Sequence, residues 1–212
     1  MQTQNDSNLW VKICGVTSVG DALMIEEAGA DALGLNFAPV SPRYIEPAQA
    51  SWIRDALSGP IELVGVFVDS SYDELMKVSE RVGLTRVQLH GNEPPELIEK
   101  LAAAGVHAYK ALRIFDAADV ALADSYGGDR ILVDAKVEGA MGGTGATFDW
   151  SLIDELNQKR KLILAGGLSA KNVADSVRIV GPYGVDTASG VESAPGVKDF
   201  RKVQAFIRQA RS

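Results

Sequence analysis

The chain has 212 residues, 46% of them hydrophobic and 23% charged, with a formal net charge of −7 and a single cysteine. That balance is the composition of a globular protein with a substantial core, and it excludes a general affinity for nucleic acid or an anionic membrane, both of which need a basic face. One cysteine excludes an intrachain disulfide, Met1 to Asn8 lack the apolar centre of a secretory leader, and no apolar run could span a bilayer, so a cytoplasmic setting is expected.

The first apolar run, Leu9 to Gly15, alternates as a strand does and stops at the only cysteine, Cys14. Side chains two apart on a strand share a face, so if Cys14 faces a cleft, Lys12 lies just below it. A neighbouring ammonium favours thiolate, the reactive form, whether as base or nucleophile. The competing reading is that Cys14 is a small buried hydrophobe.

Thr17-Ser18 then cap a helix carrying Ala22, Leu23, Ile25 and Ala28 to a stop at Gly29. A strand over 32–37 leads into Ala38 to Tyr44, where Pro39 and Pro42 exclude regular structure and leave Arg43 on a constrained loop. Pro47 opens a second helix. The strand 63–68, the helix 72–82 and the strand 86–89, which ends at His90-Gly91, repeat the pattern, and a fourth helix starts at Pro94-Pro95. A strand over 108–112, a short helix around 117–123 and a strand 131–133 ending at Asp134 carry the alternation to the longest loop, Ala135 to Thr147. Beyond it come a helix over 150–158, the strand 162–165 with the turn Gly166-Gly167-Leu168, a helix with Asn172 and Val173, the strand 185–188, the segment Ser189 to Ser193, and a closing amphipathic helix with Phe200, Val203, Phe206 and Ile207.

Eight strands, each followed by a helix, read as a (β/α)₈ TIM barrel of the α/β class, a fold of roughly 200–250 residues. No linker divides the chain, so 1–212 is expected as one domain with 1–8 as a polar extension. An open doubly wound sheet is the rival, lowered by the absence of a G-x-G-x-x-G turn after the first strand.

In a barrel the loops after the strands gather at one end, where catalysis takes place. Cys14, Arg43, His90, Asp134 and Asp186 all map there. Each alone could be a surface, capping or core group. The turns Gly166-Gly167 and Ser189-Gly190, after strands seven and eight, stand where such barrels hold phosphate on backbone N–H groups. The glycine-rich stretch 139–145 lacks the G-x-x-x-x-G-K-[ST] pattern of a nucleotide loop and reads as a lid beside Asp134 or as a mobile surface loop. No cluster has metal-ligand spacing, so no metal is inferred.

Lys12-Ile13-Cys14-Gly15, Ser41-Pro42-Arg43, Gln88-Leu89-His90-Gly91, Val133-Asp134, Gly142-Gly143-Thr144-Gly145 with Phe148-Asp149-Trp150, Ala165-Gly166-Gly167-Leu168, and Gly184-Val185-Asp186 with Ser189-Gly190-Val191-Glu192 occur in this order along almost the whole chain. Together they resemble phosphoribosylanthranilate isomerase. The resemblance implies a cofactor-free Amadori rearrangement in tryptophan biosynthesis, with the small molecule N-(5-phosphoribosyl)anthranilate as substrate, on a monomer or homodimer. It implies Asp134 as the acid that protonates the ring oxygen and Cys14 as the base that takes the C2 proton. Lys12 would favour the thiolate, Arg43 would hold the anthranilate carboxylate in its planar fork, and His90 and Asp186 would line the mouth as substrate-binding groups. Gly166, Gly167, Ser189 and Gly190 would take the phosphate. Ala188 stands where the family often has serine, which leaves phosphate binding there to the backbone. The other readings are a Schiff-base aldolase using Lys12, a barrel that binds phosphosugars without turnover, and the related isomerase of histidine biosynthesis, against which a cysteine in the first position argues.

Overall fold

The computed structural model describes residues 9–114, 117–134 and 151–212. Eight parallel strands close into a barrel in sequence order: β1 (Trp10–Cys14), β2 (Ala32–Asn36), β3 (Glu62–Phe67), β4 (Arg86–Leu89), β5 (Ala108–Leu112), β6 (Arg130–Asp134), β7 (Lys161–Ala165) and β8 (Gly184–Thr187). Pairing of β1 with β8, Lys12 opposite Asp186, closes the ring. The helices α1 (Val19–Glu27), α2 (Pro47–Ala56), α3 (Tyr72–Val82), α4 (Glu96–Ala103), α5 (Ala117–Ser125), α6 (Ser151–Lys159), α7 (Val173–Val180) and α8 (Phe200–Ala210) follow the strands in turn.

Local chemistry sets the helix ends. Ser71 accepts from the Glu74 N–H to start α3, Asp73 and Glu74 sit in its positive first turn, and Gly83 ends it at φ 72°. Asp199 caps α8 in the same way, and Val203, Phe206, Ile207 and Ala210 form its buried face. At α4 the helix begins at Glu96, with Pro95 as its cap, one residue beyond the proline pair.

The strands are covered on both sides, which is why they read as nearly continuous apolar runs. Val11, Ile13, Leu33 and Leu35 pack outward against the helices, whereas Trp10, Ala32, Val64, Tyr109, Leu132 and Ile163 fill the interior. Two-residue periodicity therefore puts Trp10, Lys12 and Cys14 on the inner line of β1, with Cys14 at the catalytic end.

The sequence reading places β3 and β8 one residue too late along the chain and ends β2 one residue late. It also misses an antiparallel hairpin between β8 and α8, β9 (Glu192–Ala194) with β10 (Val197–Lys198), entered through a single 3₁₀ turn at Ser189–Val191. Strands of three and two residues are too short for alternation to show. The stretches 135–147 and 148–150 lie outside the described residues.

Candidate active site

Cys14 ends β1 with a partly exposed thiol. Its neighbour across the ladder is Gly34, where a side chain's first carbon would stand 2.6 Å from Sγ, so only glycine leaves room for the thiol. Lys12, two residues below, is wholly buried, its Nζ 3.0 Å from Asp186 Oδ2 and 3.1 Å from Gln88 Oε1.

Lys12 favours the Cys14 thiolate in the expected direction, but it does not prevail. Burial is the largest influence and pushes the thiol up; Lys12 and Lys198 pull it down, Asp186 pushes it up again, and the net direction is upward. The ammonium is shared with Asp186 and Gln88. Burial alone would lower the Lys12 pKa, but the carboxylate outweighs it and holds Lys12 well above the usual lysine range. A lysine so strongly protonated is a poor amine nucleophile, which counts against Schiff-base chemistry.

Asp186 has an asymmetric environment. Oδ2 accepts from Lys12, while Oδ1 is buried with no hydrogen-bond partner among the described residues. A buried carboxylate oxygen left open is costly unless something fills it. Asp134 ends β6, half-buried, with the Arg113 Nε 3.9 Å from its Oδ2. His90 follows β4; its Nδ1 lies 3.0 Å from Gln88 Nε2 and the residue is exposed at the mouth. The structure thus brings Cys14, Lys12, His90, Asp134 and Asp186 to one end of the barrel, from β1, β4, β6 and β8.

Arg43 arrives with a partner that the sequence reading did not foresee. Its Nε and Nη2 donate to Glu192 Oε1 and Oε2 at 2.8 and 2.6 Å, a two-point pair that occupies one full edge of the guanidinium. Glu192 also accepts from Lys198 Nζ at 2.8 Å, and that same Nζ donates to the Cys14 carbonyl at 2.6 Å. Burial opposes ionisation of Glu192, but the bonds from Arg43 and Lys198 prevail and pull its pKa down to about 2. Sequence reasoning gave neither Glu192 nor Lys198 a role. The available signal was an acid and a base six positions apart in the loop after the last strand.

The phosphate candidates assemble as one unit. Gly166 and Gly167 adopt φ of 95° and 66°, the left-handed region that glycine favours. Thr187 Oγ1 donates to the Leu168 carbonyl at 2.7 Å, tying this turn to β8, and Gly190 packs so closely on that carbonyl that a side chain would collide with it. Asn172 holds the turn from behind, donating to the Gly167 carbonyl and accepting from the Ser169 N–H.

A cleft of about 410 Å³ opens at the opposite end, lined in part by Trp10, Glu26, Asp31, Pro60 and Glu62. Its carboxylates are already engaged: Glu26 by the Ser58 and Gly59 N–H groups, Asp31 by Val11 N–H and Arg211, and Glu62 by Arg130. It offers no unpaired acid or base. Among the described residues no group of three or more His, Cys, Asp or Glu could hold a metal, and no helix is long and apolar enough to cross a membrane.

Comparison with known proteins points one way. The family profile described as N-(5'phosphoribosyl)anthranilate (PRA) isomerase matches residues 11–209. The N-(5'-phosphoribosyl)anthranilate isomerase of Geotalea daltonii is 47% identical over 201 residues, covering 95% of this chain and 96% of that protein. The phosphoribosyl anthranilate isomerase of Thermotoga maritima superposes with a TM-score of 0.85 at 41% identity, covering 95% of this chain and 98% of the other. A phosphoribosyl anthranilate isomerase solved with reduced 1-(o-carboxyphenylamino)-1-deoxyribulose 5-phosphate superposes with a TM-score of 0.84 at 39% identity, with the same coverage.

Proposed function

Since the chain belongs to the N-(5'-phosphoribosyl)anthranilate isomerase family, an aldose–ketose isomerase family of tryptophan biosynthesis, we propose that it carries out this rearrangement with Cys14 as general base and Asp134 as general acid. The observation that carries the assignment is a partly exposed thiol and a half-buried carboxylate at the inward ends of β1 and β6, facing one mouth. Asp134 protonates the ring oxygen as the C1–O bond opens, and the nitrogen lone pair forms a protonated imine. Cys14 then removes the C2 proton, the C2–H electrons form the C1–C2 double bond, and the imine becomes an enolamine. Transfer of the enol proton to C1 yields the ketone.

The raised thiol pKa fits this sequence. The base is needed only after ring opening, and the positive charge of the protonated imine then stands beside Cys14 and favours thiolate. Asp186 Oδ1 is the oxygen left to receive a substrate hydroxyl. The anthranilate carboxylate goes to the guanidinium edge of Arg43 that Glu192 does not occupy, and the phosphate to the Gly166-Gly167 and Ser189-Gly190 turns. An acidic protein thereby binds an anionic substrate through local groups. The protein is assigned to the cytoplasm as one barrel domain, acting on this small molecule as monomer or homodimer.

Loss of anthranilate fluorescence, on adding the protein to phosphoribosylanthranilate generated in situ, tests the activity. Turnover is expected. A folded sample that leaves the fluorescence unchanged would overturn the reading.

A further inference from the structure

Gln88 lies wholly inside the barrel, where its side-chain oxygen accepts from Lys12 Nζ at 3.1 Å and from the Tyr109 hydroxyl at 2.9 Å. A lysine ammonium carries donors and no acceptor, so the Gln88 atom that faces it must be the oxygen. The amide nitrogen is therefore the atom 3.0 Å from His90 Nδ1. An amide NH₂ can only donate, so Nδ1 must accept, and the one proton of a neutral imidazole is left on Nε2, the edge turned away from Gln88. Asp186 holds Lys12 protonated at the far end of this chain of bonds, so its logic runs from β8 through β1 to β4.

We propose that Gln88 is a positioning residue that fixes His90 as a neutral imidazole with its proton on Nε2, presented to an oxygen of the sugar. His90 is then a directed hydrogen-bond donor and takes no part as acid or base. An imidazolium would need a proton on Nδ1, where it would face the Gln88 N–H group. The charged groups around the ring agree in sum. Burial and Lys12 push His90 below its ordinary range, Lys110 acts the same way, and Asp186 and Asp134 oppose them without prevailing. The destination of the proton rests on the isomerase reading; the tautomer does not.

The chain has two histidines, His90 and His107, so the ¹⁵N-labelled, ligand-free protein gives a readable imidazole spectrum, with His107→Gln to assign it. The expected result is a neutral Nε2–H pattern for His90 that persists below the ordinary imidazole pKa. Gln88→Glu still accepts from Lys12 and Tyr109 but replaces the donor facing Nδ1 with an acceptor. It should move a proton to Nδ1 and lower kcat/KM by about tenfold, the effect of one misdirected hydrogen bond. A wild-type spectrum with the proton on Nδ1, or with mixed tautomers, overturns the proposal whether or not the variant folds. So does a folded Gln88→Glu protein that keeps the wild-type pattern. An Nε2–H pattern in a protein that does not turn over substrate would instead strike the isomerase reading and leave the tautomer standing.

Discussion

Of the buried lysine–carboxylate pairs, the two built on barrel lysines, Lys110–Glu93 and Lys12–Asp186, are alike in chemistry and opposite in surroundings. Lys110 and Glu93, 2.6 Å apart between the barrel wall and the outer layer, are fully satisfied. Glu93 takes the Asp69 and Gly91 N–H groups as well as the ammonium, and Lys110 also reaches the Gly91 carbonyl. Lys12 and Asp186, 3.0 Å apart inside the barrel, leave the buried Asp186 Oδ1 without a hydrogen-bond partner among the described residues. A closed pair braces loops. An open one, below Cys14 on the inner line of the barrel, keeps part of its bonding capacity for a visitor.

The sharpest way to separate the two regions is to remove chemistry above the open pair. Cys14→Ser is expected to lower kcat by about 10²–10⁴-fold, since a hydroxyl is a far poorer base, with the melting temperature and product affinity nearly unchanged. Wild-type turnover by the serine variant would remove Cys14 from the mechanism. Asp134→Asn should lose turnover on the same scale of about 10²–10⁴-fold, and a loss confined to KM would turn Asp134 into a binding group.

Breaking the closed pair should instead be read in stability. Lys110→Met strands a buried Glu93 and is expected to cost about 3–5 kcal/mol, seen as a lower denaturation midpoint. Asp186→Asn keeps an oxygen for Lys12 and should lose less stability but more turnover than Lys110→Met; the reverse ranking would erase the distinction. Arg43→Ala is smaller again. It should weaken affinity for the anthranilate product by about tenfold, and unchanged affinity in a titration would free Arg43 from that role.

The gentlest test is pH. Glu192 has a folded pKa of about 2, below its unfolded value, so its contribution to stability is complete above the ordinary carboxylate range and is lost as pH falls toward 2. Thermal midpoints between pH 5 and 2 should therefore fall more steeply in the parent than in Glu192→Gln. Parallel slopes would show that the carboxylate is not held by Arg43 and Lys198.

The contrast also explains what the sequence disclosed. Local pattern placed α3, β4 and β5 to the residue, because short apolar runs and helix ends are set by a few neighbours. Topology then carried Cys14, His90, Asp134 and Asp186 to one end, since every such strand points the same way. The partners of those residues were not legible. Lys12 meets Asp186 across 174 positions and Arg43 meets Glu192 across 149, so their charges looked free until the ring closed. That is why the thiol was expected to be lowered, and why the Glu192 partner of the Arg43 fork was not foreseen. The assignments at Gly166, Gly167, Ser189 and Gly190 rested on glycine turns after the last two strands and on the family resemblance; the tie between Thr187 and Leu168 that joins them depends on three-dimensional packing.

The bond from Lys198 to the Cys14 carbonyl spans 184 positions, and it has a consequence for synthesis. While the ribosome is still making the later strands, β1 is an unpaired edge with the only thiol of the chain at its tip, and neither its β8 neighbour nor the lysine that holds its carbonyl yet exists. Thiol accessibility in stalled nascent chains should therefore drop once the segment through residue 198 has left the exit tunnel, marking the moment at which the polypeptide acquires a working centre.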